Sequence, residues 1–178
     1  MCELDAIQVP ERRNLLVAFS DLSAFARAVE GQSEEAIFAL MADYYELVGD
    51  IVTGGGGKVV KFIGDAVLLT FSEQAINTGV LALRTLKKQG DRFFSSRGTS
   101  CRHTIKAHFG PVCCGPIGTR DNKHFDLFGH VVNIAARLPG NGIVLTLPIF
   151  SRLAPETGQY FKRHEPSATY ISIEDNHG

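Results

Sequence analysis

The segment that most constrains the fold is "KFIGDAVLLTF", residues 61–71. Two apolar runs flank a Gly-Asp pair, a pattern that predicts two antiparallel strands joined by a tight turn. The short link favours a mixed or antiparallel sheet over a wholly parallel one. Turn chemistry accounts for Asp65, whereas packing gives no reason for the cation at Lys61.

Two amphipathic helices are predicted on either side of this hairpin. The first follows Ser33, which is placed to act as its N-cap, and the glycines from Gly54 to Gly57 end it. The second covers "SEQAINTGVLALRTLKKQ" and has Ser72 as its predicted cap. The apolar positions of the first helix recur at helical spacing: Ile37, Leu40, Met41, Tyr44, Leu47, Val48 and Ile51.

Further strands complete the pattern. The apolar run from Leu15 to Phe19 predicts a buried strand that ends at Ser20 and Asp21. The segments "HTIKAHFG" and "PVCCGPIG" predict two strands joined at Gly110 and Pro111. Then "DLFGHVVNIAARL" predicts a strand end and a short helix, "GIVLTL" a strand, and the tail two weaker strands. We therefore expect the α+β class, with a sheet flanked by helices.

Composition excludes several classes of protein. The 178 residues suit one domain, and a net charge of −1 argues against general binding to nucleic acid or anionic lipid. No run of about 18 apolar residues occurs, so we expect no membrane span and a cytoplasmic protein. The cysteines form no zinc-type pair, and reduced thiols are expected at Cys2, Cys101, Cys113 and Cys114.

The glycine run does not make a phosphate-binding loop. That motif requires a glycine five positions before its Gly-Lys pair and a Ser or Thr after it. Val52 and Val59 occupy those two places. The run is better interpreted as a connection between a helix and a strand.

Several polar residues are ambiguous when each is considered alone. Asp21, Asp65 and Asp126 all suit strand ends or turns. Two carboxylates at the ends of adjacent central strands would, however, suit Mg²⁺, which needs one or two carboxylates together with substrate phosphates. Asn133 and Arg137 are four residues apart and would share one face of a helix.

Taken in order, three segments resemble the catalytic domain of the class III nucleotidyl cyclases. They are "FSDLSAF", "KFIGDAVLLTF" and "FDLFGHVVNIAARL", and the resemblance spans about residues 14 to 150. It implies a ferredoxin-like mixed or antiparallel sheet flanked by helices, in a single domain over residues 1–178 with a core at about 14–173. It also implies head-to-tail homodimers with active sites in the groove between two domains.

The resemblance assigns a role to each matching acid. Asp21 and Asp65 look like the carboxylates that hold two divalent cations, Mg²⁺ or Mn²⁺, with help from the backbone carbonyl of Leu22. Family geometry puts these acids on one subunit and the remaining site residues on the other. Lys61 would then point out of its hairpin into the partner's base pocket, while Asp65 serves a different active site.

The remaining roles concern the nucleotide. Lys61 and Asp126 resemble the pair that selects the base, Asn133 the residue that orients the ribose, and Arg137 the charge beside the reacting phosphorus. Lys162 is the nearest match to a lysine that reaches the terminal phosphates. His130 and Val131 depart from the family, where an acid or amide and a threonine are common, and His130 is expected to be a cap or surface residue.

These roles predict an adenylate cyclase that converts ATP to cyclic AMP and pyrophosphate. A lysine donor and an aspartate acceptor match N1 and the 6-amino group of adenine, whereas guanine reverses both. The alternatives are a guanylate cyclase, a nucleotide-binding regulatory module without turnover and a structural dimerisation domain. A diguanylate cyclase is disfavoured because the GG(D/E)EF turn is absent. An unseen regulatory domain or partner is compatible with the sequence, and Cys113 and Cys114 are expected to be inert.

Overall fold

A computed structural model describes residues 3–165 and 168–174. The strands are β1 Glu11–Ser23, β2 Gly57–Ile63, β3 Ala66–Ser72, β4 Arg102–Gly118, β5 Lys123–Phe128, β6 Ile143–Thr146, β7 Phe161–His164 and β8 Thr169–Ser172. The helices are α1 Phe25–Ala28, α2 Glu34–Gly54, α3 Ile76–Ser95, α4 His130–Arg137, α5 Leu147–Phe150 and α6 Pro155–Gly158. Short 3₁₀ turns cover Glu3–Ala6 and Glu73–Ala75.

The strands form one mixed sheet. Their order is β2-β3-β1-β4-β6-β8-β7, and β5 pairs with the far part of β4. β4 and β6 are parallel, whereas the other pairs are antiparallel. The predicted α+β class, with a mixed sheet flanked by helices, is confirmed.

The two faces of the sheet are covered differently. Alternate residues of β1 point to opposite faces, and Leu16 and Ala18 join the core under α2 and α3. Leu15 and Val17 join the smaller core under α4, which also buries Leu4 of the N-terminal 3₁₀ turn. We call this second side of the sheet the α4 face. By the same alternation, Phe19 and Asp21 belong to the α4 face.

Several local predictions are confirmed. The hydroxyl of Ser33 accepts a hydrogen bond from the backbone N–H of Ala36 at 3.3 Å, so Ser33 caps α2. That helix ends at Gly54, the first residue of the glycine run. The hairpin β2–β3 turns at Gly64, whose φ of 62° favours glycine. The short helix α4, strand β6 and the two tail strands are also present.

Two strand predictions are wrong. β4 is one continuous strand rather than two joined at Gly110 and Pro111, because its pairing with β1 runs without interruption from Arg102 to Cys114. β1 continues beyond Phe19 to Ser23, so Asp21 lies within a paired strand instead of at a turn or helix cap.

The predicted start of the second long helix is also wrong. A 3₁₀ turn follows Ser72, and α3 begins only at Ile76. Ser72 makes no capping hydrogen bond through its side chain. The helical spacing of the apolar residues was therefore interpreted correctly, but the predicted cap lies before the 3₁₀ turn and not at the start of α3.

The remaining features concern thiols and membranes. Cys101, Cys113 and Cys114 are free cysteines, whereas Cys2 lies outside the described residues. Over residues 3–165 and 168–174, no helix has both the length and the apolar character needed to cross a bilayer.

Candidate active site

Two carboxylates lie together at one end of the central strands. Asp21 is exposed near the end of β1, and Asp65 is half-buried in the turn that leads into the neighbouring strand β3. Burial raises the pKa of Asp65, and the negative charge of Asp21 raises it further. The two acids are therefore close enough to repel each other, as expected for a pair that shares a cation.

The turn that carries Asp65 is fixed to helix α2. The hydroxyl of Tyr45 donates a hydrogen bond to the carbonyl oxygen of Gly64 at 2.6 Å. The Tyr45 ring also stacks on Phe62, with ring centroids 3.6 Å apart. Burial and the charge of Asp65 both raise the pKa of Tyr45, so this hydroxyl keeps its proton. Sequence reasoning missed both aromatic residues, because each resembles an ordinary apolar position of a helix or a strand.

These donors fit a hard divalent cation. Within the described part of the chain, no group of three or more His, Cys, Asp or Glu side chains could hold a metal. Mg²⁺ and Mn²⁺ do not need such a cage, because one or two carboxylates with water and phosphate oxygens suffice. Leu22 buries its side chain on the face covered by α2 and α3, and its backbone directly follows Asp21.

Lys61 forms a salt bridge with Asp126, 65 residues further along the chain. The ammonium nitrogen of Lys61 lies 2.6 Å from Oδ2 of Asp126. Oδ1 of Asp126 accepts a hydrogen bond from the backbone N–H of Leu127 at 2.8 Å. The side chain of Asp126 is 6% exposed, whereas that of Lys61 is 37% exposed. The carboxylate is thus held in place, while solvent can reach the ammonium group.

The partner of Lys61 corrects one expectation. We expected Lys61 to leave its own hairpin for a pocket on a second subunit. Instead it contacts Asp126 of its own chain, so the two residues that resemble the base-selecting pair meet within one chain.

A β-bulge in β2 gives Lys61 this orientation. Val59 pairs with Leu69, but Lys61 pairs with Leu68, so Val60 is an extra residue. Without it, regular pairing would place Lys61 opposite Val67, which faces the core under α2 and α3. Bulges often redirect a side chain next to an active site.

A groove on the α4 face connects Lys61 with Asn133. Its volume is about 530 Å³, and its apolar walls include Phe19, Leu68 and Phe128. Asn133 lies on α4, whose buried residues are Val131 and Ala135. We call this space the Lys61 groove. Its mixture of apolar walls and three polar side chains, Lys61, His130 and Asn133, is typical of a small-molecule site.

The other predicted residues lie nearby or on the same face. Arg137 is the exposed last residue of α4, one turn beyond Asn133, and His130 is the exposed first residue. Lys162 is exposed on the edge strand β7. A row of paired residues crosses the sheet on the α4 face and ends at Lys162: Lys61, Leu68, Phe19, Lys106, Val144, Ile171 and Lys162.

The comparison with protein families identifies the class. The model of the "Adenylate and Guanylate cyclase catalytic domain" matches residues 7–159. Together with the mixed sheet and the paired carboxylates, this match shows that the chain belongs to the class III cyclase catalytic domains.

Curated relatives and solved structures agree with this family. The chain is 24% identical to adenylate cyclase 1 of Rhizobium meliloti and 25% identical to an adenylate cyclase of Anabaena cylindrica, over 72% of its length in both cases. It covers only 21% and 27% of those two proteins. The adenylyl cyclase CyaB from P. aeruginosa shares the fold with a TM-score of 0.78 at 18% identity, over 94% of this chain and 97% of that one.

A guanylyl cyclase shares the fold as well. Cya2 matches with a TM-score of 0.67 at 22% identity, over 94% of this chain and 97% of that chain. Likeness at this level defines the architecture. The choice between adenine and guanine has to be argued from the Lys61 groove itself.

Proposed function

We propose that this chain is the catalytic domain of an adenylate cyclase, with its core at about residues 14–173. It would convert ATP to 3′,5′-cyclic AMP and pyrophosphate. The observation that carries the proposal is the salt bridge between Lys61 and Asp126, 2.6 Å long, beside a groove that also contains Asn133. A donor and an acceptor are thereby held side by side at a site able to take a planar ring.

Adenine fits this pair better than guanine. Adenine presents an acceptor at N1 and a donor at its 6-amino group, so Lys61 can donate to the first and Asp126 can accept from the second. Guanine presents a donor at N1 and an oxygen at position 6, which would face the Asp126 carboxylate. Because Asp126 is almost fully buried, such a mismatch would leave a desolvated charge without compensation.

The cations would be held by Asp21, Asp65 and the backbone carbonyl of Leu22. When bound, divalent cations make the ribose 3′-hydroxyl more acidic and neutralise charge on the leaving phosphates. The proposal fits the structure because the two carboxylates repel each other in the chain alone. Mg²⁺ and Mn²⁺ both accept oxygen ligands of this kind.

Residues of α4 and β7 would act on the rest of the nucleotide. Asn133 orients the ribose, so that its 3′-oxygen faces the α-phosphorus. Arg137 stabilises the charge that develops on the α-phosphate oxygens, a role suited to a planar guanidinium. Lys162 contacts the terminal phosphates. The attacking 3′-oxygen loses its proton, forms a bond to the α-phosphorus and expels pyrophosphate, with no nucleophile from the protein.

Each active site would form between two copies of the chain. Asp21 and Asp65 of one subunit would meet the Lys61 groove and Arg137 of its partner. Exposed apolar side chains support this arrangement, because Ile63 and Phe128 on the groove are 52% and 56% exposed, and Ile134 of α4 is 42% exposed. Apolar patches of this kind commonly mark a protein interface.

Product analysis tests the reaction. The purified chain is incubated with Mn²⁺ and either ATP or GTP, and the products are separated by chromatography. We expect cyclic AMP from ATP and little cyclic GMP from GTP. Cyclic GMP as the main product would assign the chain to the guanylate cyclases, and binding of ATP without any cyclic product would favour a regulatory module.

Mixing two inactive variants tests the shared site. Lys61→Ala removes the base contact, and Asp65→Ala removes a cation ligand, so each homodimer should be inactive. Random mixing in equal amounts gives mixed dimers that each keep one intact site, and about a quarter of wild-type activity should return. A mixture no more active than its parents would argue against sites shared between subunits.

A further inference from the structure

A hydrogen-bonded group of three polar side chains, Asp91, His103 and Tyr44, lies outside the proposed site. Oδ1 of Asp91 lies 2.9 Å from Nδ1 of His103 and accepts a second hydrogen bond from the backbone N–H of His103 at 2.8 Å. On the other side of the ring, Nε2 of His103 lies 2.9 Å from the hydroxyl of Tyr44. These hydrogen bonds thus join α3, β4 and α2. Sequence reasoning had treated Tyr44 as one apolar position of a helix.

The surroundings of His103 are built around its ring. Tyr44 is 0% exposed and His103 is 1% exposed, so neither can exchange its partner for bulk water. Gly90 of α3 faces the ring, and a Cβ atom at Gly90 would lie 2.3 Å from Cε1 of His103. Glycine is unfavourable inside a helix. The close approach of α3 to the imidazole therefore explains a residue that helix formation alone would disfavour.

The hydrogen bonds that link Asp91, His103 and Tyr44 have a defined direction. Burial raises the pKa of Asp91, but hydrogen bonds from His103 and Lys87 outweigh that effect and bring the pKa to about 2. Asp91 is therefore a carboxylate, and Nδ1–H of His103 is the donor to it. An imidazole that carries its single proton on Nδ1 offers Nε2 as an acceptor, and the Tyr44 hydroxyl is then the donor to it. Asp91 thus determines the orientation of the Tyr44 hydroxyl through the ring of His103.

Tyr44 also packs next to the elements that carry the candidate cation ligands. It shares a core with Leu22, the residue after Asp21, and its ring centroid lies 6.3 Å from that of Tyr45, which holds the Asp65 turn through Gly64. Burial raises the pKa of Tyr44, the nearby Ser20 hydroxyl lowers it, and the charges of Asp65 and Asp21 raise it again. Tyr44 is therefore within the electrostatic field of both carboxylates. Ser20, next to Asp21 in β1, is fully buried and pairs with Val67, which belongs to the same core as Tyr44. The two residues that flank Asp21 in β1, Ser20 and Leu22, are thus buried on the face of the sheet that Tyr44 covers.

We propose that Tyr44, held by His103 and Asp91, is a positioning residue that sets the cation affinity of the pair Asp21 and Asp65. This inference rests on the proposed function, because the cations are those that the pair would hold. Hydrogen-bonded residues behind metal ligands commonly orient them and tune their affinity. Here the support comes from the opposite side of the sheet, through residues that touch neither nucleotide nor cation.

Binding of Mn²⁺ to the full chain tests the proposal without turnover. The loss of the free Mn²⁺ signal in electron paramagnetic resonance gives the dissociation constant of the metal alone. Tyr44→Phe keeps the ring and removes only the hydroxyl, and we expect it to weaken Mn²⁺ binding roughly tenfold, the lower range for partners of metal ligands.

Two His103 variants test its hydrogen bonds to Asp91 and to Tyr44 separately. His103→Asn keeps a donor for Asp91 and loses the acceptor for Tyr44, whereas His103→Gln keeps an acceptor for Tyr44 and loses the donor. We expect His103→Asn to weaken Mn²⁺ binding as Tyr44→Phe does, and His103→Gln to weaken it less. Combining Tyr44→Phe with His103→Asn should add little, since both remove the same link.

A packing variant is the matched control. Phe94 is fully buried, and its ring centroid lies 5.1 Å from that of Tyr44 and 6.1 Å from that of His103. Phe94→Leu should lower thermal stability without changing Mn²⁺ affinity. Asp21→Asn gives the reference for a lost cation ligand.

Unchanged Mn²⁺ affinity in Tyr44→Phe would overturn the proposal, and so would a wild-type chain that does not bind Mn²⁺. If the His103 variants fail to fold, Tyr44→Phe decides alone. Failure of the proposed function would look different: Mn²⁺ affinity would depend on Tyr44, yet ATP would give no cyclic AMP.

Discussion

The ammonium group of Lys61 and the carboxylate of Asp126 lie 2.6 Å apart, and the carboxylate is far more buried than its partner. Lys61→Met would leave Asp126 without this counter-charge. We expect the free energy of unfolding to fall by about 1–3 kcal/mol and kcat/KM for ATP to fall about 10- to 100-fold. Urea denaturation and initial-rate kinetics measure the two effects.

Lys58 on the same strand supplies the control for Lys61. It pairs with Asp5, whose side chain is 39% exposed, so Lys58→Met should cost less than about 1 kcal/mol. The double variant Lys61→Met with Asp126→Asn should recover most of the stability, because no buried charge is then left unpaired. Equal stability losses at Lys58 and Lys61 would contradict this account.

Arg137→Ala should act on catalysis and not on folding. Because Arg137 is exposed at the end of α4, its removal should leave the unfolding temperature unchanged. We expect kcat to fall about 10²- to 10³-fold, the usual effect of losing a group that stabilises charge in the transition state. Arg92→Ala, on the helix that covers the opposite face, should keep full activity. Comparable losses in both variants would exclude a specific role for Arg137.

Lys162→Ala should weaken ATP binding. Lys162 pairs with Ile171 and ends the row of residues on the α4 face. Its neighbour Arg163 pairs with Tyr170 and points to the other face. We expect KM for ATP to rise roughly two- to fivefold with kcat unchanged, as for an exposed charge contact. Arg163→Ala should leave KM unaffected. A larger effect at Arg163 would remove Lys162 from the site.

Asp65→Asn should stabilise the chain in the absence of divalent cations. The pKa of Asp65 is raised in the folded chain, so its contribution to stability is complete below the unfolded value near 3.8 and is lost as pH rises through the folded value. At pH 7 the variant should therefore be more stable than the wild type, and at pH 3 the difference should disappear.

Mn²⁺ should make the wild type more stable than Asp65→Asn, because cation binding stabilises only the chain that keeps the Asp65 carboxylate. Thermal unfolding with and without Mn²⁺ measures both effects. Asp121→Asn, in the exposed β4–β5 loop, should show neither. A less stable Asp65→Asn chain at pH 7 without metal would show that Asp65 does not suffer repulsion.

The local elements were predictable because their signals are local. Ser33 and the glycine run mark both ends of α2, and the Gly64 turn marks the hairpin. β4 was predicted as two strands because Gly110 and Pro111 resemble a turn. Pairing of those residues with β1 outweighs that preference and keeps the strand continuous.

Longer-range relationships could not be derived from the pattern. The family resemblance paired Lys61 with Asp126, but the bulge at Val60 that turns Lys61 toward the groove leaves no mark in a run of apolar residues. The contact between Tyr44 and His103 joins positions 59 residues apart, and each resembles ordinary core or strand usage. Such contacts depend on how α2 and β4 pack, which a single sequence does not encode locally.

The hydrogen bond from Tyr45 to the Gly64 carbonyl, with the stack of Tyr45 on Phe62, ties the hairpin tip to a helix of 21 residues. Asp65 therefore shares the rigidity of that helix instead of the freedom of an open loop. A ligand that binds there has little backbone motion to arrest, so more of its interaction energy remains as net affinity.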